Sequence, residues 1–106
     1  MVQQLLLNQQ GYIIESNDRL FSTFPQRHFP VTDWSPFVAS IFQSLWTMPN
    51  HQELAFPRVE STLDGLQGAH RYLFSKIYYN DTPAILWTIE PCPQFATFDV
   101  RRFQPC

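Results

Sequence analysis

The order of apolar runs predicts an α+β domain: a five-stranded antiparallel sheet with helices packed on one face. Three observations carry this reading. Residues 72–79 and 84–90 are filled with tyrosine, isoleucine, phenylalanine and tryptophan, which suit a pleated surface, and a turn-forming stretch separates them. A second, shorter pair of apolar runs lies at the N-terminus. Between the two sets, residues 36–46 switch to an apolar repeat of helical period. Strands that flank a block of helices imply helices segregated to one face of an antiparallel sheet.

Taken in order, Gln3 to Leu7 reads as a strand and 8–11 as a tight turn, with Gly11 the natural place for positive φ. Residues 12–16 are the return strand. Ser16 or Asn17 can cap a short helix carrying Leu20, Phe21 and Phe24, with Asp18 suited to its positive end and Pro25 stopping it. Residues 25–35 form an ordered loop with room for a helical turn. Ser35-Pro36 is a strong helix start: serine caps, and proline at the first position lacks only a donor that would be orphaned anyway. The pairs Phe37/Val38, Ile41/Phe42 and Leu45/Trp46 then give an amphipathic helix that ends by Pro49. Residues 54–63 form a strand in which Pro57 removes one donor, so it belongs at an edge or in the first part of the strand. Residues 64–68 turn, 69–79 form a strand, and 80–83 turn again, with Pro83 expected to block further pairing. In the last strand Ile85, Trp87 and Ile89 share one face, and Ala84, Leu86, Thr88 and Glu90 share the other. The first two strands can close against this last one. Residues 1–92 make the domain and 93–106 a tail or linker without clean period.

A chain of 106 residues with 44% hydrophobic content supplies one core. Ten Phe, four Tyr and three Trp beside only 15% charged residues leave apolar surface for a partner. A net charge of −2, with Arg101-Arg102 the only adjacent basic pair, argues against nucleic-acid binding. No run reaches the ~20 apolar residues of a membrane span. The N-terminus lacks a signal peptide's basic start, so a cytoplasmic protein is expected, with Cys92 and Cys106 as free thiols.

Residues able to carry chemistry are few. His28, His51 and His70 lie far apart without paired spacing, so no metal site is expected. There is no nucleophile elbow, no Cys-His pairing and no Gly-rich phosphate loop. Glu60 and Glu90 on neighbouring strands read as solvated charges, one of them paired with Arg58 or Arg71. No catalytic residue is assigned and the chain is not expected to be an enzyme. Phe37, Ile41, Phe42, Trp46, Phe56, Phe74 and Trp87, with Tyr72 beside them, either line an apolar cavity between helices and sheet or simply fill the core.

The order of elements resembles that of the PAS family, in the form found in bacterial signalling and two-component systems. Residues 5–18 resemble its opening: apolar strand, turn with Gly11, apolar strand, then Asn17 before the first helix. Residues 56–60, Gly68 and 85–90 resemble its C-terminal three-stranded half, and residues 35–42 a helix of such proteins. The likeness spans 3–91. Pro93 and Pro105 depart from the coiled-coil extension common in the family, and no kinase, cyclase or DNA-binding output region is visible. The resemblance implies a sensory or interaction module that detects a small apolar or aromatic ligand, or a partner, and passes the change through the sheet to an output domain or partner protein. It names no cofactor: haem-binding members use a helical histidine, which is missing here, and the Asn-Cys-Arg flavin motif is absent. The apolar run Leu5, Leu6 and Leu7, with Leu86 on the mixed face of the last strand, predicts a homodimer. Competing readings are a ligand-free interaction domain, or a small enzyme or apolar-ligand carrier.

Overall fold

The computed structural model describes residues 2–17, 28–61 and 68–92. Its frame is a five-stranded antiparallel sheet: β1 (Gln3–Leu7), β2 (Ile13–Ser16), β3 (Glu53–Ser61), β4 (Gly68–Tyr79) and β5 (Thr82–Pro91), in spatial order β2-β1-β5-β4-β3. The first hairpin docks on the last strand, as expected, so β5 lies at the centre.

Register explains the inner face. Leu5 pairs with Trp87 and Leu7 with Ile85, while Phe74 pairs with Trp87 and Tyr72 with Ile89. With side chains alternating, these residues share one side, and each is at most 1% exposed. Helix α1 (Pro36–Leu45) covers them with Val38, Ile41, Phe42 and Leu45. Leu5 and Leu7 are therefore core residues. The expectation that the whole leucine run forms a dimer surface fails for these two, because alternation turns only Leu6 outward.

The ends of α1 follow local chemistry. Ser35 is extended (φ −163) and its Oγ accepts from the Val38 amide at 3.2 Å, with Pro36 opening the helix. Ser35→Ala should lower stability by about 1 kcal/mol, read as a lower urea midpoint at unchanged slope. At the other end the Lys76 ammonium donates to the carbonyls of Trp46 (3.2 Å) and Met48 (2.8 Å). A cation there meets carbonyls that the helix leaves unpaired.

Turns show where local rules were sufficient. Gly11 has φ 92, and its carbonyl accepts from the Val31 amide at 2.9 Å. That bond ties the first hairpin to the 3-10 turn Val31–Asp33. A Cβ on Gly11 would sit 3.4 Å from Val31, against an unfavourable backbone conformation. The β4–β5 turn differs from expectation. Tyr79 pairs with Thr82, leaving Asn80 (φ 50) and Asp81 (φ 62) as a two-residue turn. Both positive angles give the mirror-image turn that matches strand twist. Pro83 lies inside β5, opposite Tyr78. Its missing amide is tolerated because β1 pairs with β5 only as far as Ile85.

Pro57 is on β3, an edge strand as expected, within a register shift between Phe56 and Val59. Asn17 does not act as a free cap: its Oδ1 accepts from the Gln4 amide at 2.7 Å and closes the first hairpin. The helix expected over Leu20 to Phe24, the strand end at 62–63 and the 93–106 tail lie outside the described residues.

Candidate functional site

Four of the seven aromatic-cluster residues form a continuous row of rings. Phe37 meets Phe56 edge-on at 5.4 Å between centroids, and Phe56 meets Phe74 at 6.2 Å. Phe74 stacks on Trp87 at 5.3 Å with planes 20° apart. Tyr72 and Trp34 close on Trp87 from other directions, at 5.1 and 5.9 Å. Such offset and edge contacts are the favoured ring arrangements. Phe42 and Trp46 form a separate pair at 5.6 Å, and Ile41 is buried in the same core. The row runs from Phe37, 40% exposed, to Trp87, fully buried. The rings meet one another, which is how a filled core packs.

One polar atom breaks this pattern. The Trp87 indole Nε1 is sealed from solvent, and among the described residues no group accepts from it. An unsatisfied buried donor costs about 1–3 kcal/mol, so natural cores rarely leave one without a guest or a water.

The outer face of the sheet carries Leu6 beside Leu86, paired across β1 and β5. Gln4, Glu15, Ser16, Asn17 and Ile77 join them around a shallow recess of about 300 Å³. Leu6 is buried and Leu86 half-buried. Ala84 and Thr88, on the same face of β5, are buried too, so this surface is less polar than its alternation alone suggests. Tyr79 donates to Glu15 Oε1 at 2.7 Å, and this bond holds the phenol above its usual range.

Sequence reasoning missed Lys76. Residues 72, 74 and 76 share the inner face of β4, so alternation alone puts this lysine among core residues. It is 8% exposed, and its ammonium lies 5.5 Å from the Trp46 ring centroid. With Gln9, Trp46, Asn50 and Pro83 it lines an open cleft of about 450 Å³.

The remaining candidates are not brought together among the described residues. His28 and His51 are exposed, and the His70 ring contacts the Gly68 carbonyl at 3.2 Å. Among the described residues no group of His, Cys, Asp or Glu could hold a metal ion. Glu60 pairs with Arg58 at 3.0 Å in solvent, as expected of a surface charge, and Glu90 faces Arg71 across the strands. Cys92 is disulfide-bonded, which corrects the expectation of a free thiol there; Cys106 lies outside the described residues. No helix of the described residues is long and apolar enough to cross a membrane.

No protein-family model matches the chain, and no curated protein sequence matches it. Its structure is similar to the crystal structure of a PAS domain from Desulfitobacterium hafniense, with a TM-score of 0.57 and 10% sequence identity. The match covers 85% of this chain and 92% of that one. At this identity the likeness speaks for the fold, and the fold is PAS-like: a five-stranded antiparallel sheet with its helix on one face.

Proposed function

We propose that the chain is a non-catalytic sensory or interaction module, with residues 1–92 as the module and 93–106 as a tail or linker. The single observation that supports ligand detection is the Trp87 Nε1, a buried donor without an acceptor at the inner end of the aromatic row. A small aromatic or largely apolar ligand carrying one acceptor would satisfy it while replacing ring contacts. Phe37, Ile41, Phe42, Trp46, Phe56, Phe74 and Trp87 are the side chains that would respond to such a guest. A signal follows only if the ligand prefers one packing of helix on sheet over another. The output is a homodimer partner, a neighbouring domain or a separate protein, reached through the outer face at Leu6 and Leu86. A cytoplasmic location belongs to this reading, although the disulfide at Cys92 pulls the other way, since such bonds persist in oxidising compartments.

Native mass spectrometry of the purified chain tests both parts. The expected spectrum shows a dimer and a retained small molecule that Trp87→Phe releases. A bare dimer would favour the ligand-free interaction domain. A bare monomer at high concentration in light scattering would sink the dimer.

A further inference from the structure

We propose that the cleft beside Lys76 binds a small organic monocarboxylate. The site shares Trp46 with the cluster above but involves neither the row from Phe37 to Trp87 nor the Trp87 donor, and it does not depend on the sensory reading.

The starting point is a charge account. Lys76 is more than nine-tenths buried, yet among the described residues no carboxylate pairs with it. A buried ammonium without a counter-charge is costly. The carbonyls of Trp46 and Met48 take two of its three N–H bonds. They also place it at the negative end of α1, which favours a cation there. Helix capping therefore accounts for part of the lysine's position. With the Trp46 ring at 5.5 Å it still leaves one N–H and no full counter-charge among the described residues, on a side chain that lines an open cleft.

The rest of the lining is part aromatic and part amide. The Trp46 ring forms one wall, while its Nε1 is sealed from solvent and does not open onto the cleft. Gln9 and Asn50 add amide groups, and Asn50 is steadied by its 2.6 Å bond to the Tyr78 hydroxyl. The lining thus sets one ammonium beside two amide groups, which suits an acceptor-bearing guest. One ammonium and no second cation select a single negative charge. The Trp46 ring and Pro83 supply apolar walls, which favours a carboxylate on a flat apolar body over a hydrated inorganic anion. The volume of about 450 Å³ lies within the usual range for small-molecule sites.

Benzoate is the probe, and benzamide is its neutral counterpart of the same shape. The readout is the Trp46 indole N–H resonance, assigned by its disappearance in Trp46→Phe. Benzoate should shift it saturably, and benzamide should bind about tenfold or more weakly, because a charged hydrogen bond is lost. Lys76→Met, which keeps the apolar stem, should abolish the benzoate response. Should that variant fail to fold, the comparison of the two probes on the unaltered chain still decides. Equal shifts with benzoate and benzamide would overturn the proposal. So would the absence of a saturable response to benzoate, or the same response to sodium chloride at equal ionic strength.

Discussion

Trp87→Ala is expected to destabilise the fold by about 4 kcal/mol, the range for truncating a fully buried aromatic ring. Trp87 is the largest fully buried side chain and sits on the central strand. It stacks on Phe74 and contacts Tyr72 and Trp34, so the truncation deprives three other rings of a neighbour. Small domains hold about 5–15 kcal/mol in total. The variant should thus retain a cooperative but strongly shifted urea transition, or unfold if the chain is at the low end. Trp87→Phe should cost less than half as much. It keeps a ring in the stack and removes one of the two indole donors left unsatisfied among the described residues. Equal losses for the two variants would mean that the indole N–H has a guest in solution and is worth as much as the ring itself. Chemical denaturation of both, with and without prior unfolding to strip retained molecules, separates these cases.

The sheet was legible because its rules are local and repeat every two residues. Ile85, Trp87 and Ile89 declared the inner face of β5; that Leu5 and Leu7 lie against it rather than at a dimer surface came only with the register of β1. Gly11 and Ser35 were legible for the same reason: one needs positive φ, the other a cap, and both needs arise within a few residues. What stayed hidden depends on distant partners. Pro83 looks like a strand breaker until one knows that its outer neighbour ends at Leu7, far earlier in the chain. Asn17 resembles a helix cap until Gln4 claims its side chain. Lys76 was visible as a lysine on an apolar face. Its purpose was not, because the carbonyls it binds come from Trp46 and Met48, about thirty residues away. The unmet indole donors of Trp46 and Trp87 are the most distant case of all, since no sequence pattern records the lack of a partner.

Adjacent leucines provide the sharpest test of which face does what. Leu5→Lys should abolish cooperative folding. The ammonium would enter the inner face opposite Trp87, where Leu5 has no exposure and no described acidic side chain waits. An unpaired charge in such a place costs more than most single substitutions, and the stem is too enclosed to carry the head to water. Leu6→Lys, one position on, should fold with a loss of about 1–2 kcal/mol from lost apolar burial. There the cross-strand neighbour on β2 is Glu15, and a lysine stem can lie along the outer face with its head toward that carboxylate. Circular dichroism during urea titration reads the difference in folding. Light scattering on the folded Leu6→Lys protein then reads association separately: if the outer face joins two copies, the variant should be monomeric where the unaltered chain is dimeric. A folded Leu6→Lys protein that still dimerises would remove the outer face from the proposed interface while leaving the fold untouched. Equal unfolding by the two lysines would instead mean that the outer face around Leu6, itself buried, is as closed to a charge as the inner one.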